Sequence, residues 1–394
     1  MKAYRFRAQA LTPVHIGCGC EIEPMEFILH GERVVQFNPA RVLSELPPAE
    51  MDRYIRLVDK ADLPAIHSFL RTHVRPEIHA TAQIDASQAF RSEFDLRIGN
   101  PNNRFRVELM PRNPHSGQIY LPGSSIKGAI RTAVVNHFAN LAPESRETVH
   151  AAVNTARDSD KGRVLEEAAL NRTSGQTERD IFRLVEVEDA PLPFGATRID
   201  RIVNMNPAKK GAEKIQIWAE RLKALTDAPA PAPAPLFSIT LHIDTLALAN
   251  PDVRTGRKLD IDLLIRACNS FYWERMKAEG DKFDERLSDG AGWKALHNAF
   301  PKGRTPDGGI VAIEPSKPYW CRKERKRMIL RVGRFSHFES LSVDGLRRGY
   351  NVQARKPIKD MGASRTRCAA EDNRPSMPFG WLILTMDETP PTPG

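Results

Sequence analysis

Three stretches of this 394-residue chain have the residue types and spacing to hold an anion. The first is Leu121-Pro122-Gly123-Ser124-Ser125-Ile126-Lys127-Gly128-Ala129-Ile130-Arg131. Pro122-Gly123 reads as a type II turn, with Gly123 at positive φ. Ser124 or Ser125 then reads as the cap of a helix. Free N–H groups at such a helix start favour a negative ligand. Lys127 and Arg131 are four apart and share one face, while Ile126 and Ile130 share another. The chemistry is that of a phosphate bridged by amides and a cation. A capped helix with a solvated basic edge fits the same residues equally well.

The second stretch is Leu330 to Phe338, reading LRVGRFSHF, preceded by Arg322–Arg327 with five Lys or Arg and one Glu. Basic side chains interleaved with aromatics suit backbone contacts and base stacking on a nucleic acid. The third is Met361 to Arg367, where glycine, hydroxyls, Arg365 and Arg367 have the makings of a backbone cradle. Met377 to Trp381 reads as a turn entering a last strand.

Catalytic groups are sparser. Metal-free cleavage of a phosphodiester needs a general base and a general acid at one phosphate. His15 and His337 are the candidates, with nothing local to bring them together. Glu21, Glu23 and Glu26 have the composition of a magnesium cluster, and read equally as a turn of solvated glutamates. Cys18 and Cys20 lie two apart on a glycine-rich turn, a poor zinc half-site without a second pair. No metal and no cofactor are expected.

Strands and helices must position these groups. Tyr4, Phe6, Ala8 and Ala10 alternate with polar residues, as in a half-buried strand. Phe27–Leu29 and Val34–Phe37 read as a hairpin across His30-Gly31. Pro39 opens a helix over Ala40–Leu46, and another helical region runs from Asp59 to Arg75. Arg104–Met110 and Ile119–Leu121 read as strands, and the helix from Ser125 carries Ile126, Ile130, Val134 and Phe138. Glu144–Arg179 is charged and reads as helices or a mobile insert. Ile181–Val187 reads as a strand paired with Thr197–Asn204, and Glu213–Leu225 as a helix. The Ala-Pro run from Asp227 to Leu236 is stiff and extended, a linker or a surface loop. Phe237–Leu248, Arg327–Val332 and Trp381–Thr385 read as strands, and Ile261–Lys277 as a helix.

This interleaving suits an α+β fold of the split βαβ type. No G-x-G-x-x-G follows a strand, and no phosphate loop of the ATPase kind is present. The formal charge of +9 suits an anionic partner, RNA or DNA foremost. Five cysteines, an odd count without CxxC, speak against a secreted disulfide framework. No apolar run reaches membrane length, so a soluble cytoplasmic protein without a membrane partner is expected.

Four segments carry a family resemblance: TPVHIGCG at 12–19, LPGSSIKGAIR at 121–131, LRVGRFSHFES at 330–340 and MPFGWLIL at 377–384. In this order they resemble the RAMP proteins of type III CRISPR systems. More narrowly, the chain is similar to the type III-A Csm-complex subunit at the 3′ end of the guide RNA. The resemblance implies two ferredoxin-like, RRM-type domains with helical insertions, placed at 1–235 and 236–394. It implies that glycine-rich loops bind the guide's backbone: His15, Gly17 and Gly19 in the first, Gly123, Ser124, Ser125, Lys127 and Arg131 in the second, Gly333, Arg334 and Ser336 in the third. The implied partners are crRNA, other RAMP and small subunits of the Csm effector complex, and external host nucleases that mature the guide. The role is antiviral RNA-guided defence, as a cap rather than a cutter. Filament-forming relatives cut target RNA with an aspartate after the first strand, whereas Gly19–Asn38 holds Glu21, Glu23, Glu26 and Glu32 and no aspartate. The competing reading is a metal-independent guide-processing endoribonuclease with His15 as its catalytic group.

Overall fold

The first strand, β1 (Lys2–Ala10), shows the expected alternation: Phe6, Ala8 and Ala10 are buried, while Arg5 and Arg7 are exposed. The computed structural model describes the chain apart from residues 99–104, 207–216, 228–233, 251–256, 285–295, 297–301, 305–309, 313–325, 347–348, 352–354, 359–360, 370–376 and 388–394. The Pro-Ala run and the basic residues 322–325 thus lie largely or wholly outside the described residues.

β1 is the middle strand of a five-stranded sheet. The other elements of this layer are helix α1 (Gly123–Ala139), β2 (Val185–Val187), β3 (Leu236–Ile243), helix α2 (Ile261–Glu279), β4 (Arg327–Arg331) and β5 (Trp381–Met386). The order is β4-β5-β1-β3-β2, antiparallel throughout. Ile126, Ile130, Val134 and Phe138 recur at helical spacing in α1 and join Phe6, Ala8 and Ala10 in one core. Asp260 caps α2, accepting the Leu263 N–H at 2.7 Å. The two helices are tied by Tyr272, whose hydroxyl donates to the Ala129 carbonyl at 3.1 Å. Asn269 of α2 closes the edge of β4: its amide donates to the Arg327 carbonyl at 2.8 Å and accepts the Ile329 N–H at 2.9 Å. An edge strand is thereby denied to other chains.

The second sheet is mixed. Across it lie Glu21–Ile22, Val107–Glu108, Ile217–Leu222, Thr197–Met205, Ala80–Ala86, Arg33–Phe37 and Phe27–His30, and Arg365–Ala369 also pairs with Thr197–Met205. Phe27, Phe90, Phe94, Phe105 and Trp218 fill its core under the helix Gln88–Arg97. The architecture is mixed α/β, consistent with ferredoxin-like packing. Both sheets take strands from either side of residues 235/236. β1 pairs with β3 and β5 from beyond that point, and Arg365–Ala369 pairs back onto Thr197–Met205.

Several local expectations are corrected. Ile217–Leu222 is a strand, not part of a helix; Glu220 and Arg221 look like a polar face in the sequence but are fully buried in ion pairs. Thr197–Met205 pairs with this strand rather than with residues 185–187. Asp59–Arg75 is broken at Lys60–Asp62, where Asp62 caps a new helix, Leu63–His73, through the Ala65 N–H at 3.1 Å. Glu144–Arg179 contains two α-helices, in line with the first of its two readings, whereas α1 begins at Gly123 without a side-chain cap from Ser124 or Ser125.

Candidate nucleic-acid interface

β1 and β4 finish, and β3 and β5 begin, at the same end of the five-stranded sheet. The register shows it: Ala10 lies opposite Leu382, Gln9 opposite Leu236, and Arg331 opposite Trp381. Three of the four segments singled out in the sequence meet here. Leu11 N–H donates to the Trp381 carbonyl at 2.8 Å, and Gly380 N–H to the Pro13 carbonyl at 2.8 Å. Val332 N–H donates to the Gly380 carbonyl at 2.8 Å, and Arg334 N–H to the His15 carbonyl at 3.0 Å. The loops after β1, after β4 and before β5 are therefore one stitched surface.

Gly333 is demanded by this stitching. Its φ is +93°, and a Cβ there would sit 2.3 Å from the His15 carbonyl oxygen. Ser336 is buried and donates its hydroxyl to the Gly333 carbonyl at 2.7 Å, so it closes the turn instead of facing a ligand.

His15 is buried to 1% exposure. Its Nδ1 lies 2.7 Å from the Glu220 carbonyl oxygen and so carries the proton it donates. Nε2 faces Glu108 Oε2 at 3.6 Å, and the ring stacks on Phe335 with centroids 5.6 Å apart. Arg334 pairs with the same Glu108. Burial pushes the Glu108 carboxyl up, and the neighbouring His15 ring and Arg334 guanidinium outweigh it, leaving the pKa below its ordinary value. Above this floor Gly17, Cys18, Gly19, Cys20 and Arg334 are exposed. Unobstructed main chain beside a guanidinium is the chemistry of a phosphate contact.

α1 starts at the other edge of the sheet, against Val187 of β2. Here the structure corrects the sequence. Gly123 is not at positive φ; it is needed because a Cβ would meet the Val187 carbonyl oxygen at 2.0 Å. Its N–H, the first free donor of α1, is already accepted by Asp189 at 2.7 Å. The chain's own carboxylate takes the place drawn for a phosphate. Arg131 is bound by Glu166 at 2.6 Å and Asp180 at 2.7 Å and lies over Phe182. Burial alone would lower its pKa; the two carboxylates raise it instead. Ser124 is exposed, Ser125 and Lys127 are half-buried, and Lys127 makes no ion pair among the described residues.

Arg365 and Arg367, read from sequence as a backbone cradle, are 0% and 1% exposed. With Arg331 they surround two buried carboxylates. Arg331 lies 2.6 Å from Glu279, Arg365 2.6 Å from Glu339, and Arg367 3.6 Å from Glu279. This cluster pins the loop after β4 to α2 and to the second sheet. His337 sits against it. Burial, then Arg331 and Arg365, push its pKa down to about 3, and its Nε2 accepts the Thr366 N–H at 3.4 Å. A neutral acceptor of this kind is no general acid at neutral pH. The magnesium candidates are also engaged: Arg106 lies 3.5 Å from Glu21 and 2.6 Å from Glu23, and Glu26 accepts the Glu23 N–H at 2.9 Å.

Glu108 was not singled out from the sequence, whereas Phe335 belongs to the basic and aromatic stretch read there as a stacking surface. Alternation along Arg104–Met110 marks Glu108 only as a solvent-side residue, and nothing local announces its partners on two distant loops.

The RAMP superfamily model matches residues 7–292, well over half of the chain. This chain belongs to the RAMP superfamily. The RAMP protein is 24% identical over 275 residues, 67% of its length, to a CRISPR system protein, Csm5, of Methanocaldococcus jannaschii. The match spans 60% of that relative's length. Its fold is similar to a chain of a Csm–crRNA–target RNA ternary complex from a type III-A CRISPR–Cas system. The TM-score is 0.62 at 18% identity, covering 97% of this chain and all of that one. It is also similar to T. onnurineus Csm5, with a TM-score of 0.58 at 17% identity over 96% of this chain and 99% of that one. The RAMP protein is thus homologous, at low identity, to Csm5-type proteins.

Proposed function

We propose that this RAMP protein is a non-catalytic guide-RNA-binding subunit of a type III-A CRISPR effector complex. It caps the backbone filament at the 3′ side of the crRNA, beside other RAMP subunits and the small subunits. One observation carries the reading: the loops after β1 and β4 are stitched into a single surface that leaves Gly17, Gly19 and Arg334 exposed. Such a surface grips phosphates without reading bases. The net charge of +9 and the homology to Csm5-type proteins agree with it. The burial of His15 leaves that imidazole without access to a scissile phosphate, so trimming of the guide falls to nucleases recruited from outside.

The test is co-purification from the native host with sequencing of bound RNA, and incubation of the isolated chain with guide precursor. Short RNAs sharing a constant 5′ tag, companion RAMP subunits and no cutting by the isolated chain support the proposal. An RNA-free preparation, or cutting abolished by His15→Ala, overturns it.

A further inference from the structure

We infer that Cys18 and Cys20 are a reversible dithiol–disulfide pair, a modification site that sets the shape of the exposed loop after β1. Both thiols are exposed, whereas Cys268 and Cys368 are buried. The residue between them is Gly19, with φ +78° and no atom within 4 Å of the place a Cβ would take. Residues two apart have Cα atoms at most about 7 Å from each other, and a bent glycine shortens this into the range a disulfide spans.

The loop is also poised. Both ends of Cys18-Gly19-Cys20 are tied to one residue, Leu109. The Cys18 thiol donates to its carbonyl at 3.2 Å, and its N–H donates to the Cys20 carbonyl at 2.9 Å. The first tie is a weak thiol donor, and oxidation removes it. The two side chains interact: burial raises the Cys18 pKa first, and the Cys20 thiol beside it adds to the rise. A thiol raised in this way attacks an oxidant more slowly, which assigns Cys20 as the attacking thiol and Cys18 as the resolving one.

With a peroxide the step balances. The Cys20 thiolate sulfur attacks one peroxide oxygen, the O–O bond breaks, and hydroxide leaves and takes up a proton as water. The resulting sulfenic acid is attacked by the Cys18 sulfur. The S–S bond forms, the S–O bond breaks, and a second water departs with the Cys18 proton. Two thiols lose two electrons and one peroxide gains them. Two molecules of a small thiol reverse the reaction by exchange.

Closing this ring redraws the main chain next to Gly17, where a Cβ would lie 3.5 Å from the Arg334 side chain. The consequence for RNA rests on the reading of this loop as a backbone contact. Oxidation then weakens binding, and reduction restores it.

The experiment uses the full chain carrying Cys321→Ser, since Cys321 lies outside the described residues. Reduced protein is treated with hydrogen peroxide, alkylated, and followed by intact mass and peptide mapping. The expected result is a loss of about 2 Da, a Cys18–Cys20 link, and two alkylatable thiols regained with dithiothreitol. Cys20→Ser forms no such link. Binding to single-stranded RNA falls roughly five-fold on oxidation and recovers, the worth of about one backbone hydrogen bond. Both thiols still alkylated after peroxide, or oxygen added without a link, overturns the pair. A link with unchanged RNA affinity overturns the loop-shaping role. Failure of the reduced protein to bind RNA counts against the function proposed above, while the mass still decides the disulfide.

Discussion

Arg334 donates its main-chain N–H to the His15 carbonyl at 3.0 Å while its guanidinium reaches Glu108, the same carboxylate that His15 Nε2 faces. One residue thus fixes the loop after β1 through its backbone and presents a cation at its surface. Position 333 decides whether that contact forms. Gly333→Ala places a methyl 2.3 Å from the His15 oxygen and at φ +93°. We expect a loss of roughly 2 kcal/mol or more, since strain and clash act together. Urea unfolding measures it. An unfolding midpoint equal to that of the parent would mean that the two loops are not held as described.

Arg334 and Arg365 were both read from sequence as RNA contacts, and the structure separates them. Arg334 is 48% exposed at its side chain, and Arg365 1%. Arg334→Ala should weaken single-stranded RNA binding and shrink the salt slope by about 0.7, the value for one lost phosphate contact. Its unfolding should change little, because surface pairs contribute little. Arg365→Ala strands Glu339 in the interior and should cost on the order of 3 kcal/mol. Paired melts and salt titrations of the two variants check this; matching profiles would refute the separation.

Much of the strand and helix layout was legible because burial follows period. β1 alternates, and α1 repeats every three or four residues. The failures have a common cause. Ile217–Leu222 hides Glu220 and Arg221 inside, paired with Arg112 and Asp200, so a buried strand mimics a helix with a polar face. Glycines and arginines raise a similar ambiguity at the site. Gly123 and Gly333 are both needed for close main-chain approach, one to Val187 and one to His15, yet the Gly123 N–H is taken by Asp189. Arg131, Arg365 and Arg367 are neutralised by carboxylates far away in sequence, and no local pattern reports such partners.

On α1, Lys127 and Arg131 should respond in opposite ways. Arg131 is held by Glu166 and Asp180, so Arg131→Ala leaves a half-buried carboxylate cluster and should cost about 2 kcal/mol. It should leave the salt slope of RNA binding unchanged. Lys127 has no ion pair among the described residues, so Lys127→Ala should leave the melt unchanged and reduce the slope. A drop in slope for Arg131→Ala with no loss of stability would restore the original reading of that residue.

Acid should destabilise the fold through His337. In the folded chain its pKa is about 3, against the ordinary 6.5. Between these values the unfolded chain binds a proton that the native state excludes, so stability rises with pH across that window. It is complete above pH 6.5 and falls as pH drops toward 3, by up to about 1.4 kcal/mol per unit. The groups facing the ring are Arg331, Arg365, Arg367 and Glu279. Glu279, held below its ordinary 4.5 by the arginines beside it in spite of its burial, stays ionised between pH 7 and 5. His67 and His137 are lowered too, which is why a difference between proteins is the useful readout. His337→Asn keeps a polar side chain that does not titrate, and the backbone there, at φ 61° and ψ 157°, is strained for either residue. Urea unfolding at pH 7, 6 and 5 should show the wild-type stability falling more steeply than that of the variant, by close to one proton's worth. Parallel slopes would place the ring in a solvated site and dissolve the account of the buried arginine cluster around it.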